Sequence, residues 1–270
     1  HPATQANVAL IAARGVIVLG PDEGEQACGD SGPGRMLEPD AIAAALRARL
    51  GGGRLAGHRV VLTAGPTREP LDPVRFLGNR SSGRMGFALA SALAGQGAEV
   101  VLVSGPVALA TPTGVERIDV GSAQEMREAV FAALPGTAIF VACAAVADFR
   151  PAVVAQQKIK KTAETLTLEL TRNPDILAEV SALPNRPFCV GFAAETQDLA
   201  AYAEAKLKAK GLDMIAANRV SASQGFEVDD NALLVIWKGG SEALEQQPKP
   251  QLAAQLVNLI ADRFDAQTAT

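Results

Sequence analysis

The sequence predicts an α/β protein built on a doubly wound parallel sheet with an inserted flexible arm. Three observations carry this reading. From His58 onward, apolar strand-like runs alternate with helical stretches of roughly 10–15 residues, the rhythm of strands joined by crossover helices. The first of these runs feeds directly into a glycine-rich turn that opens a helix. One segment, 150–171, interrupts the alternation and has no helical period.

Ahead of the sheet, residues 1–36 hold a helix-like stretch, an apolar run Val16-Ile17-Val18-Leu19 read as a strand, and a loop crowded with Gly20, Gly24, Gly29, Gly32 and Gly34. A short helix is expected at 39–50, with Asp40 near its start, running into Gly51-Gly52-Gly53, a linker signal. Strands are expected at 59–64, 98–104, 115–120, 138–144, 188–192 and 212–217, with 232–237 as a later, antiparallel addition. Helices are expected at 83–96, 123–134, 174–181, 198–210 and 251–264. The interrupting segment contains Lys158-Ile159-Lys160-Lys161 and then alternates as Leu166-Thr167-Leu168-Glu169-Leu170, which suits a lid or arm better than a passive connector.

Composition removes several function classes. The chain is 48% hydrophobic and 20% charged, a globular balance, and its longest apolar run, Ala138 to Ala147, falls short of the ~18 residues of a membrane span. Net charge −4 and 4% aromatic residues leave neither a basic face nor stacking platforms, so no nucleic-acid partner is expected and any bound anion is small. Cys28, Cys143 and Cys189 are widely spaced and offer no disulfide framework or C-x-x-C metal site, which points to a reducing, cytoplasmic setting. With only His1 and His58, histidine triads and multi-histidine metal sites are poorly supplied. The chain opens without Met and shows no charged-then-apolar leader, so it reads as a piece of a longer protein.

The residues that could carry chemistry cluster at expected strand ends. Gly78-Asn79-Arg80-Ser81-Ser82-Gly83-Arg84-Met85-Gly86 opens a helix, where glycines admit a phosphate to the backbone and free N–H groups supply donors. Its spacing is neither a Walker A loop nor the G-x-G-x-x-G dinucleotide fingerprint, and the same glycines would also serve turns and close helix–sheet packing. Lys206 and Lys210 share one helix face, a like-charge pair that a triphosphate would compensate, although lysines in a last helical turn also complement the dipole. Asp148 follows the small residues Ala142-Cys143-Ala144-Ala145-Val146-Ala147, placing a carboxylate at the edge where open α/β sheets bind ligands. It could read a nucleotide, hold Mg2+ or cap a helix. Phe192 could wall a base pocket or belong to the core.

Taken together, these segments resemble the phosphopantothenoylcysteine synthetase (phosphopantothenate–cysteine ligase) domain family of bacterial bifunctional coenzyme A biosynthesis proteins. The motifs stand in that family's order: Thr63-Ala64-Gly65-Pro66-Thr67, Asn79-x-Ser81-Ser82-Gly83-x-Met85-Gly86, Ala144 to Asp148, Lys158 to Lys161, Asn173-Pro174-Asp175, and Gly191-Phe192-Ala193-Ala194-Glu195-Thr196. Residues 1–36 resemble the C-terminal end of the partner flavoprotein decarboxylase, through Ala27-Cys28-Gly29-Asp30 and the residues around it. The resemblance implies a Rossmann-like ligase domain at 58–270, a linker at 37–57 and a decarboxylase remnant at 1–36.

The implied reaction joins 4′-phosphopantothenate to L-cysteine through an acyl cytidylate made from CTP with Mg2+, releasing pyrophosphate and CMP. In that reaction Lys158 would help form the intermediate and Asn79 would turn it over. Arg75 and Ala145 would contact the cytidylate, while Asp148, Phe192, Lys206 and Lys210 would bind the nucleotide. The same binding set takes in Ser81, Gly83, Ala142, Cys143, Ala144, Pro174, Asp175, Ile176 and Leu177. Cys28 matches a cysteine of the decarboxylase reductive step and is expected to be idle, since FMN would belong to the decarboxylase part missing from this chain. A homodimer is implied, larger in the full-length protein, and the metal ligands are left unassigned. Two rivals are an NAD(P)-binding oxidoreductase on the same sheet and a non-catalytic dimerisation fragment.

Overall fold

The computed structural model describes residues 1–25, 31–49, 52–160, 164–195, 198–219 and 230–268. The chain begins with α1 (Pro2–Ala13), β1 (Asp22–Glu25), β2 (Ser31–Arg35) and α2 (Pro39–Arg49). It continues with β3 (Arg59–Ala64), β4 (Arg68–Pro70), β5 (Phe76–Gly78), α3 (Arg84–Gly95), β6 (Glu99–Ser104), β7 (Val115–Asp119), α4 (Ala123–Ala133) and β8 (Thr137–Ala142). Then follow β9 (Phe149–Pro151), β10 (Leu170–Arg172), α5 (Ile176–Ser181), β11 (Phe188–Glu195), α6 (Leu199–Ala209), β12 (Met214–Arg219), β13 (Asp230–Trp237), β14 (Gly240–Pro248) and α7 (Lys249–Thr268).

The main sheet has eight strands in the order β14-β13-β12-β11-β8-β3-β6-β7. From β12 to β7 every pairing is parallel, and β13 and β14 add on antiparallel. Strand β3 shows why the sequence was legible here. Val60, Leu62 and Ala64 join a core with α3 and α7, while Val61 points to the opposite core with α4, α5 and α6. A strand buried on both faces needs a continuous apolar run, and the helices cover both sides. The antiparallel β13 also agrees with the expected late addition.

Other segments differ from expectation. Val16 to Leu19 is not a strand; it is irregular, with Val16 and Ile17 more than half exposed. An apolar run forms a strand only beside a pairing partner, and the local ladder is instead the hairpin β1–β2. The edge strand β14 was missed because among its nine residues only Leu244 is buried, so its alternation is nearly silent. Its ladder with β13 slips between Asn231 and Leu233, leaving Glu245 and Gln246 together opposite Ala232. The pairs β4–β5 and β9–β10 have three residues per strand, too short to read as periodic.

Gly53 to Gly57 packs into the sheet domain. Leu55 is fully buried in the α3–α7 core, and Arg54 pairs with Asp262 and Asp265 of α7 at 2.5 and 2.6 Å. A Cβ on Gly53 would fall 1.9 Å from the Gln96 carbonyl oxygen, so glycine is set there by close approach. The expected arm, 150–171, is closed at its base by the β9–β10 ladder, and Lys161 lies outside the described residues.

Candidate active site

Two threonines of the first motif tie the strand ends together. Beyond β3 and β8 the chains still run side by side, with a parallel bridge between Pro66 and Ala145. Buried Thr63 and Thr67 use their hydroxyls to accept from the backbone N–H groups of Ala144 and Ala147, at 3.2 and 3.0 Å. The Asn79 side-chain amide donates to the Ala145 carbonyl at 2.9 Å. Three sequence motifs thus meet at the carboxyl edge of the sheet.

The glycine-rich loop combines a turn with close helix–sheet packing. Gly83 caps α3 with φ +76, a left-handed conformation that disfavours a side chain, and α3 begins without a side-chain cap or an acidic residue in its first turn. Gly86 lies against β3 so closely that a Cβ would sit 2.4 Å from the Ala64 Cβ. One glycine bares the helix start and the other lets the helix lie on the sheet.

Two cavities adjoin along this edge. The larger, about 440 Å3, is lined by Ala142, Ala144, Asp148, Pro174, Asp175, Ile176, Leu177, Phe192, Lys206 and Lys210, among others. The second, about 330 Å3, brings together Asn79, Ser81, Gly83, Cys143, Ala144, Ala145, Asp148 and Phe192. Ala144, Val146, Asp148 and Phe192 line both, so one ligand could span them. Arg75 and Lys158 line neither cavity, and Cys28 lies outside the described residues. Asn218, Asn231 and Lys249, absent from the sequence-derived set, line the smaller cavity. Lys249 follows a strand that the sequence hid, which is why it went unmarked.

The lysine pair is compensated by protein groups. Lys206 donates to the Phe192 carbonyl at 2.9 Å, and Lys210 pairs with Asp175 at 2.6 Å. Asp175 also caps α5 by accepting from Ala178 N–H at 3.1 Å. Burial raises its pKa, but the hydrogen bonds from Lys210 and Ala178 outweigh that and hold the carboxyl below its usual range. Burial pushes the Cys143 thiol up to about 12 and the Cys189 thiol up to about 11, which disfavours the thiolate at both.

Arg75 holds the arm. Its guanidinium donates to Asp72 through Nε at 3.0 Å and Nη2 at 2.5 Å, and Nη2 also reaches the Ile159 carbonyl at 2.8 Å. Buried Asp72 in turn accepts from Ile159 N–H at 3.0 Å, so both backbone groups of Ile159 are gripped beside Lys158. The Arg75 hydrogen bond, helped by the N–H groups of Ile159, Val74 and Arg75, holds the Asp72 carboxyl well below the usual range. The exposed Lys158 is therefore tethered at a fixed point of the arm, outside both cavities.

Among the described residues no cluster of three or more His, Cys, Asp or Glu side chains could cage a metal. Mg2+ commonly retains waters and uses one or two carboxylates with substrate phosphates, a requirement that Asp148, exposed on the wall of both cavities, fits. Nor is any described helix long and apolar enough to cross a membrane.

Comparison with known proteins gives a consistent picture. Residues 55–264 match the DNA/pantothenate metabolism flavoprotein C-terminal domain family. The chain is 56% identical over 266 residues to the coenzyme A biosynthesis bifunctional protein CoaBC of Vibrio cholerae, covering 97% of this chain and 67% of that protein. It is 50% identical over 269 residues to CoaBC of Escherichia coli K12, covering 97% and 66%. A crystal structure of the C-terminal domain of CoaBC superposes with a TM-score of 0.69 at 36% identity, covering 80% of this chain and all of that one. The chain spans about two thirds of the length of these curated relatives. It belongs to the DNA/pantothenate metabolism flavoprotein C-terminal domain family, of the type found in bifunctional coenzyme A biosynthesis proteins.

Proposed function

We propose that the chain is a phosphopantothenate–cysteine ligase that uses CTP. The observation that carries this reading is the pair of joined cavities at the carboxyl edge, lined by the motif residues of a family whose relatives are coenzyme A biosynthesis proteins. A carboxylate is a poor acyl donor and must first become a mixed anhydride. The 4′-phosphopantothenate carboxylate attacks the α-phosphorus of CTP, and the bond to pyrophosphate breaks. The amine of cysteine then attacks the acyl carbon, CMP leaves, and the amine gives up a proton to yield the amide. Mg2+ held at Asp148 would supply charge neutralisation on the phosphates.

The protein's own task is positioning and electrostatic stabilisation. The start of α3 and Asn79 line the smaller cavity. Lys158, outside both cavities on the arm that Arg75 and Asp72 grip, would act once a ligand or a second copy brings the reacting groups to it. Lys206 and Lys210, each fixed by a protein partner, border the larger cavity as donors for the base or ribose. We assign the working form as a homodimer in the cytoplasm. The arm and its base expose Phe149, Val153, Leu166, Leu168 and Leu170, an apolar set that a second copy would cover. Sedimentation of the chain tests this, and a monomer at enzyme-assay concentrations refutes it.

The decisive experiment measures pyrophosphate release with 4′-phosphopantothenate, L-cysteine and each of the four nucleotides. Release with CTP that requires phosphopantothenate is expected. No nucleotide-dependent release, or binding of NAD in place of CTP, overturns the assignment.

A further inference from the structure

We propose that a third cavity, at the amino edge of the sheet, binds a small phosphate-bearing anion through Arg263 and Lys238. The assignment stands independently of the ligase reading. Topology builds the place. Strand β13 runs antiparallel to β12 and ends with Trp237 opposite Met214, the first residue of β12. Trp237 therefore lies where the parallel strands begin, at the end remote from the motif residues. The β13–β14 turn, the start of β11 and the C-terminal parts of α6 and α7 surround a cavity of about 1170 Å3 there, lined by Arg186, Phe188, Lys208, Trp237, Lys238 and Arg263, among others.

The charges of this cavity do not balance within the protein. Of the two carboxylates among the described lining residues, Asp213 is held by both terminal nitrogens of Arg186, and Glu204 faces Lys208 at 3.8 Å. Lys238 and Arg263 are left with no carboxylate of the lining to pair with. The guanidinium carbon of Arg263 lies 4.8 Å from the centre of the Trp237 ring, a stacking contact that fixes the plane of the group. A Cβ on Gly240 would fall 3.0 Å from two atoms of the same ring, so the β13–β14 turn also lies directly against it. The Arg263 Nε is buried and has no hydrogen-bond partner, the one such side-chain atom among the described residues. A buried donor left unmet is uncommon and costs free energy. The guanidinium thus reaches the cavity already stripped of part of its water and already oriented, which lowers the cost of receiving an anion. Two uncompensated positive charges match a group carrying close to two negative charges at neutral pH, as a phosphate does and a single carboxylate does not. The planar fork of Arg263 suits two phosphate oxygens at once, and the exposed Lys238 adds a point charge beside it.

Trp237 is the only tryptophan of the chain, so its fluorescence reads this cavity directly. An anion that draws on Arg263 must alter the ring the guanidinium covers. The test titrates the parent, Arg263→Met and Lys238→Met with inorganic phosphate, pyrophosphate and acetate at constant ionic strength. A saturable change with phosphate and pyrophosphate, and none with acetate, is expected in the parent. Arg263→Met should raise the midpoint roughly tenfold to a hundredfold, the scale of hydrogen bonds to charged groups. Lys238→Met, at an exposed position where folding is not at stake, should raise it by about twofold to fivefold. No saturable change in the parent, an equal response to acetate, or an unchanged midpoint in either variant overturns the proposal. Pyrophosphate acting from the carboxyl edge would leave both midpoints where they were and so counts against it. Should Arg263→Met not fold, Lys238→Met decides alone.

Discussion

Gly86→Ala should separate the packing role of the glycine loop from its ligand role. The new methyl would lie 2.4 Å from the Ala64 Cβ and 3.2 Å from its Cα. Carbon atoms in contact sit at about 3.5–4.0 Å, so α3 must retreat by about 1 Å or more from a strand that is itself fully buried. Overpacking of this kind costs ~1–3 kcal/mol, and alanine returns up to ~1 kcal/mol of helix propensity. The net loss of about 1–2 kcal/mol corresponds to roughly 2–8 °C in Tm for a domain of this size. Because the shift moves the N–H groups that face the smaller cavity, ligase kcat/KM should fall by about a hundredfold, the scale of a 1 Å misplacement. Thermal unfolding and pyrophosphate release are measured on Gly86→Ala, Ala64→Gly and the double variant. The pair should couple, the double being less damaged than the sum of the singles. A Gly86→Ala protein as stable and active as the parent would refute the close approach, and strict additivity would refute Ala64 as its partner.

The remaining expectations concern the arm and the core. Lys158→Gln should suppress formation of the acyl cytidylate, whereas Asn79→Asp should let it accumulate; quench-flow with mass detection decides, and normal turnover by either variant removes that residue's role. Since Asp72 is held below its ordinary value of 3.8, its contribution to arm attachment is complete above that value and is lost as pH falls through the depressed one. Hydrogen exchange at Ile159 should therefore stay protected in the parent down to the carboxylate range and be fast at neutral pH in Asp72→Asn; protection already gone at pH ~5 would contradict the depressed carboxyl. Leu55→Ala, at a fully buried position, should cost ~2–5 kcal/mol in denaturant unfolding. A loss below about 1 kcal/mol would mean that Leu55 is not core.

The parallel sheet was legible because β3, β6 and β8 are buried on both faces and carry their burial as unbroken apolar runs. The edge was not: β14 buries Leu244 alone, and its pattern was invisible without its partner strand. Residue types at strand ends located Asp148, Phe192 and the glycine loop. They could not show that Thr63 and Thr67 tie the motifs together, because hydroxyls that bond to backbone across 80 residues leave no local trace. Arg75 was named for a ligand contact, and the structure engages its guanidinium with Asp72 and Ile159, a long-range clasp that spacing does not encode. For the like charges of Lys206 and Lys210 the sequence suggested a triphosphate or the helix dipole as compensation, whereas the structure pairs Lys210 with Asp175 and Lys206 with the Phe192 carbonyl, contacts that spacing does not encode.

The slip in the β13–β14 ladder makes chain length there a matter of parity. Side chains alternate along a strand, so the doubled position at Glu245 and Gln246 inverts the orientation of everything after it, up to the first residue of α7. Excising one residue from that doubled position would regularise the ladder with Gln247 and Pro248 still opposite Asn231 and Asp230, so Lys249 would keep its side, while excising two from the strand would reverse it. Loss of one residue at the doubled position should thus be accommodated more readily than loss of two.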